Sequence, residues 1–153
     1  DKNKAFKFYD EYLEMRNQLP KRGNRFLDFP ASEYIIAEGL LYIKANAQCL
    51  EIIELAIQEF PLKMEFVRKG YYRQIHLFWL IAKKRLDPSY DIDKQLRKIN
   101  PENFYFISQK YFSVTYNYAN YLNSGDNKCL KQAKNSAIEM GNKFFSDVFF
   151  KEN

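Results

Sequence analysis

Residues 100–121 read Asn100-Pro-Glu-Asn-Phe-Tyr-Phe-Ile-Ser-Gln-Lys-Tyr-Phe-Ser-Val-Thr-Tyr-Asn-Tyr-Ala-Asn-Tyr121. Asn100 is a strong N-cap residue, Pro101 suits the first helical position and Glu102 favours the positive end of a helix. Beyond them Phe104, Ile107, Tyr111, Val114, Tyr118 and Tyr121 recur at helical spacing. A second row, Tyr105, Ser108, Phe112, Thr115, Ala119 and Leu122, is offset by one residue. The two rows make an apolar and small-residue face far wider than a surface helix carries. The stretch therefore predicts a helix buried on most sides, in the middle of a helical stack. What remains is a narrow polar strip: Gln109 or Lys110, Ser113, Asn117 and Asn120. That strip faces either solvent or a ligand.

The flanking sequence repeats the helical pattern. Lys4 to Leu19 forms a first segment, stopped by Pro20 and Gly23, and 26–30 is a connector. Ser32 is placed to cap a second helix over 33–44. A third runs over about 47–60 and stops at Pro61, and a long fourth covers 62–86, ending at Asp87-Pro88. A short helix over about 92–99 precedes the central one, which stops at Ser124-Gly125. Another spans 127–140 with Gly141 as its C′ residue, and 143–150 is a terminal aromatic helix. No stretch alternates in the manner of a strand. Connections of two to five residues favour antiparallel neighbours. The fold class is all-α, and 1–153 is a single domain.

At 153 residues the chain is long enough for a real core. An aromatic share of 18% is high, and tyrosines gather at core edges or in binding grooves because the hydroxyl needs a partner. The net charge is +5, but 24 basic residues are interspersed with 19 acids and no run of five like charges occurs. Lys21-Arg22 and Lys83-Lys84-Arg85 sit beside helix ends, where cations meet the dipole. Direct nucleic-acid binding is therefore not expected. Cys49 and Cys129 are too far apart in sequence to make a metal motif, and read as reduced thiols of a cytoplasmic protein. No apolar run reaches the ~20 residues of a membrane span. The start at Asp1, directly in helical periodicity, reads as a piece of a longer protein.

Catalysis has little to stand on. The single histidine, His76, shares a helix strip with Lys69, Arg73 and Lys83, a cationic setting that lowers its pKa. Metal-binding spacings and Gly-rich phosphate loops are absent from the sequence. Glu11/Glu14 and Glu51/Glu54 have the spacing of solvated helix faces, and Glu38, among apolar residues, is expected to pair with a cation on the next helix. The chain is not expected to be an enzyme or to carry a cofactor or metal.

Binding has more. Asn is a mediocre helix former, so Asn117 and Asn120 in mid-helix need a reason. A carboxamide matches the alternating N–H and C=O groups of an extended peptide. Lys69 and Arg73 would hold a carboxylate, and Tyr105 and Tyr116, with Tyr72, would form pockets for apolar side chains. The candidate peptide site is thus Lys69, Arg73, Tyr105, Ser113, Tyr116, Asn117 and Asn120. The competing reading is that the Asn pair simply faces water near a helix end.

Two segment pairs are alike. One runs Tyr34-Ile-Ile-Ala-Glu-Gly39-Leu-Leu-Tyr42, a tight turn, then Cys49, Ile53, Ala56 and Pro61. The other runs Tyr118-Ala-Asn-Tyr121, Ser124-Gly125-Asp126, then Leu130, Ala133 and Ala137. The pattern resembles the tetratricopeptide repeat, a helix–turn–helix unit of about 34 residues. Gly39, Tyr42, Ala56 and Pro61 match in the first pair, with a turn about two residues short. Tyr121, Gly125, Asp126 and Ala137 match in the second, where Tyr118, Leu130 and Lys134 depart. The resemblance implies stacked helical hairpins in a degenerate right-handed solenoid, with an irregular bundle as the alternative.

The tail carries a second resemblance. Ile92-Asp-Lys-Gln-Leu, Asn103-Phe-Tyr-Phe-Ile, Tyr116-Asn-Tyr-Ala-Asn-Tyr-Leu and Gln132-Ala-Lys-Asn-Ser-Ala-Ile-Glu-Met-Gly141 lead to Phe144, Phe145, Val148, Phe149 and Phe150. This looks like the C-terminal repeat domain of Rgg/MutR-type transcription regulators, over about the last sixty residues. The resemblance implies a peptide-sensing, dimerising domain, with nucleic acid bound only through a separate N-terminal helix-turn-helix domain that this stretch lacks. A scaffold that binds a protein partner, with no signalling ligand, is the second reading. The aromatics of 144–150 are too many for a freely solvated helix, so they either cap the last repeat or meet a second copy.

Overall fold

Helix stops decide the layout. The computed structural model describes residues 2–18, 31–59, 65–99 and 109–142, with Phe145, Phe149 and Phe150; of 31, 58, 59, 65–72 and 109 it describes the backbone only. The elements are α1 (Lys2–Gln18), α2 (Ala31–Tyr42), α3 (Asn46–Glu59), α4 (Glu65–Leu86), α5 (Asp93–Lys98), α6 (Gln109–Ser124) and α7 (Asn127–Glu139). The expected all-α class holds, and among the described residues there is no strand. The expectations resting on Pro20, Gly23, 26–30, Pro61, the Asn100 start and Phe144 lie outside the described residues.

Two helices, α7 and α2, end in the same particular way. At α7 the C′ residue Gly141 adopts φ 66°, its N–H bonds to the Ile138 carbonyl at 2.9 Å, and that of Asn142 bonds to Ala137 at 3.3 Å. This is a complete Schellman stop. The same pair of bonds closes α2: Lys44 to Leu41 at 3.2 Å and Ala45 to Leu40 at 2.9 Å. Here Lys44 itself takes φ 60°, a left-handed conformation that costs a side-chain-bearing residue about 1–2 kcal/mol. The expected 33–44 helix therefore ends at Tyr42, and because it begins at Ala31, Ser32 lies in its first turn instead of capping it. Gly125, at φ 71°, stops α6 with a single bond to Tyr121, and Asp126 then caps α7 by accepting from Lys128 N–H.

α2 packs on α3 and α6 on α7, and α4 lies against α2, α3 and α6. The bridge between the hairpins is thus α4, while α6 sits between α4, α5 and α7. The sequence of α4 explains this: Gln74, Ile75, Leu77, Phe78, Leu80, Ile81 and Ala82 are all buried, a wide arc that leaves His76, Trp79 and Lys83 on the remaining strip. Each large aliphatic or aromatic side chain so buried contributes about 1.5–3 kcal/mol. Ala133 and Ala137, fully buried, let α7 approach α6 closely. α1 is tied on by polar bonds: Tyr12 to Glu33 at 2.6 Å, and Arg16 to Glu33 and to the Leu55 carbonyl, both at 3.4 Å. Cys49 and Cys129 are free thiols.

The terminal aromatics fold back. Phe145 and Phe149 are fully buried and meet Tyr42 edge-on at 5.2 and 5.6 Å; Phe150 packs on Tyr118 at 5.3 Å. For these three the chain supplies its own cover.

Arg85, half-buried at the end of α4, joins these parts. One guanidinium nitrogen donates to the Leu41 carbonyl at 2.9 Å, the other to the Phe149 carbonyl at 3.1 Å and the Tyr118 hydroxyl at 3.3 Å. The cation also stands over the rings of Tyr118 and Phe149, 5.3 and 5.0 Å from their centres. Hydrogen bonds to a charged group contribute about 1.5–3 kcal/mol. Arg85→Ala should therefore lower the unfolding free energy by about 2–4 kcal/mol in urea titrations, and Arg85→Lys should recover less than half, because an ammonium cannot span two carbonyls with a planar fork.

Candidate functional site

The polar row of α6 is built by i, i+4 and i+7 spacing. Ser113, Asn117 and Asn120 are all half-buried on this helix. The Asn117 amide nitrogen donates to the Ser113 carbonyl at 2.9 Å and to the Ser113 hydroxyl at 3.0 Å. Asn120 donates to the Tyr116 carbonyl at 2.9 Å. Only the NH2 end of a carboxamide can donate to a carbonyl, so the orientation of both amides follows. Both Asn117 hydrogens are engaged on its own helix, and its Oδ1 is left as an acceptor. The row is thus suited to receive N–H groups, and its ability to serve the C=O groups of a peptide is narrower than the residue types alone imply.

The Ser113 hydroxyl lies 3.1 Å from that of Ser136, which places this end of the row at the α6–α7 seam. Tyr116 stacks on Phe112 with ring centres 5.5 Å apart. Arg73 is half-buried on α4, beside Gln74, whose amide donates to Thr115 of α6 at 2.8 Å. The structure thus links Ser113 to Asn117 and Tyr116 to Asn120 directly. The Lys69 side chain and all of Tyr105 lie outside the described residues.

A second polar cluster was not foreseen. Glu38 on α2 accepts from the hydroxyls of Tyr42, four residues on, and Tyr111 of α6, both at 2.5 Å. Among the described residues no cation pairs with Glu38; two phenols meet it instead, and a neutral donor is cheaper to bury than an ammonium. The Glu38/Tyr42 spacing was the available signal. Burial first, then the Glu38 contact, pushes the Tyr42 hydroxyl far above its usual pKa; burial followed by neighbouring phenols and Glu38 does the same to Tyr111.

Burial and then Lys98 of α5 lower the His76 pKa. Burial raises the Cys49 thiol to about 12, against the pull of Arg85. Among the described residues no group of three His, Cys, Asp or Glu side chains could hold a metal, and no helix is long and apolar enough to cross a membrane.

No protein-family model, no curated protein and no solved structure matches this chain.

The raised tyrosine pKa values have a signed consequence. A group whose folded pKa exceeds its unfolded value of about 10 stabilises the fold below that pH, and the contribution fades as pH rises toward the folded value. Stability should therefore fall above about pH 10. Phenolate absorbance from Tyr42 and Tyr111 should appear together with helix loss, and Tyr111→Phe should shift the alkaline midpoint. Spectrophotometric titration alongside circular dichroism checks this; ionisation of every tyrosine with the helices intact is the contrary result.

Proposed function

We propose that the chain is a peptide-binding helical domain, acting as the regulatory, peptide-sensing and dimerising part of a cytoplasmic bacterial transcription regulator of the Rgg/MutR type. Tetratricopeptide-like stacking is part of this reading and would run α2–α3, α4, then α6–α7. The observation that supports it most is the half-exposed Ser113, Asn117 and Asn120 row, with carboxamide oxygens on one line of α6. An extended peptide repeats its N–H groups along a similar line, and burying them unpaired costs about 1–3 kcal/mol each. Tyr116 beside the row, with Arg73 and Lys69 on α4, would contact side chains and an acidic end. Nothing in this arrangement calls for catalysis or a cofactor.

One observation favours the second reading, a scaffold for a protein partner with no signalling ligand. The amide hydrogens of Asn117 are engaged on its own helix and need no peptide to complete them.

The two readings separate on one variant. Peptides selected from a random library would bind Asn117→Ala about 1–2 kcal/mol more weakly than the unaltered protein. The unfolding free energy should move by less than about 0.5 kcal/mol, because the better helix propensity of Ala offsets the lost side-chain bonds. A large stability loss with unchanged peptide affinity would make Asn117 structural and favour the scaffold.

Dimerisation is a separable part of the proposal. With Phe145, Phe149 and Phe150 covered internally, an interface would need other apolar surface, such as Phe8, Met15 and Ile35, all well exposed. Sedimentation at micromolar concentration should show a dimer; a strict monomer retires that part.

A further inference from the structure

A groove runs along the outer face of α3. Its floor is Ala47, Leu50, Glu51, Glu54 and Leu55, and Leu86 at the end of α4 forms a wall; its volume is about 350 Å³. Cys49, Ile52, Ile53 and Ala56 take the opposite face of α3 into the core, so the groove side is a second, outward stripe at helical spacing. Leu86 is 50% exposed, a large aliphatic side chain left uncovered at the mouth.

The two carboxylates are held in place from both sides. Tyr9 of α1 donates to Glu51 Oε2 at 2.7 Å, and the indole N–H of Trp79 on α4 lies 3.3 Å from Glu54 Oε1. Each keeps its second oxygen, and neither forms an ion pair among the described residues. The nearby cations are directed elsewhere: Arg16 to Glu33 and the Leu55 carbonyl, Lys83 over the Tyr90 ring at 5.3 Å. Two positioned and unneutralised carboxylates beside an apolar groove are complementary to a cation carried next to an apolar side chain.

We propose that this groove docks a basic peptide segment of a partner protein. An aliphatic or aromatic side chain would fill the space between Leu50, Leu55 and Leu86, and flanking Lys or Arg residues would meet Glu51 and Glu54. The groove is open along its length, which suits a chain segment better than an enclosed small molecule. The apolar anchor supplies affinity by leaving water, and the carboxylates select the charge of its neighbours. The inference is independent of the α6 row, which lies on another element.

The test uses a random dodecapeptide library, selected on the protein and counter-selected on the Glu51→Gln/Glu54→Gln double variant. Trp79, the only tryptophan, touches Glu54 and reports occupancy through its emission. Surviving peptides should carry Lys or Arg next to Leu, Ile or Phe. They should change Trp79 emission saturably, bind the double variant at least tenfold more weakly, weaken with salt and lose affinity to Leu86→Ser. Both Gln substitutions are at exposed positions and keep an acceptor for Tyr9 and Trp79, so an unchanged unfolding midpoint accompanies the loss. The proposal is overturned if no peptide survives counter-selection, if survivors are neutral or acidic, or if they bind the double variant equally. A concentration-dependent dimer abolished by Leu86→Ser would also overturn it, by making a second copy the occupant.

Discussion

The Arg85 guanidinium is the point on which the two halves of the helical stack depend. It sits at the end of α4 without a carboxylate partner among the described residues, and its charge is met by carbonyl and hydroxyl oxygens and by two aromatic faces. The Leu41 carbonyl belongs to the last turn of α2, where the helix dipole presents its negative end. Arg85 thus closes α2, holds the segment around Phe149 and braces Tyr118 of α6 with one side chain. Guanidinium is weakly hydrated for a cation and planar, so this partial burial costs less than it would for lysine.

Elsewhere the seams use polar pairs in the same way. Gln74 and Thr115 join α4 to α6, Glu38 and Tyr111 join α2 to α6, and Tyr12 and Glu33 join α1 to α2. Each pair places a hydroxyl or amide where an unpaired polar group would be costly. The abundance of tyrosine follows from this, since a phenol can fill a helix–helix seam and also satisfy a partner on the facing helix. Such pairs also fix which helix faces which, which aliphatic contacts alone do less selectively.

The two surfaces proposed for recognition differ physically. The α6 row offers neutral acceptors of restricted geometry, because its amide hydrogens are turned into the helix. The α3 groove offers formal charge and exposed aliphatic surface. The first would discriminate by backbone hydrogen bonding, the second by side-chain charge and size. A protein with both could engage two segments of different chemistry without either competing for the same side chains.

Helical periodicity, Gly125-Asp126 and Gly141 were readable because they act through the chain's own neighbours: a 3.6-residue repeat and a positive φ are local properties. The wide apolar face of α6, the small residues of α7 and the end of α4 at Asp87-Pro88 followed from the same local rules. The left-handed Lys44 was not readable, since nothing in a lysine announces that conformation; the surrounding packing imposes it. Nor was the choice of α4 as the bridge, because two wide apolar helices have the same pattern whichever lies between the hairpins. The site divides similarly. The line through Ser113, Asn117 and Asn120 is a matter of spacing alone. The inward turn of their amides, the phenols on Glu38, the indole on Glu54 and the place of Arg85 depend on atoms far apart in sequence, and only the tertiary structure decides which of them meet.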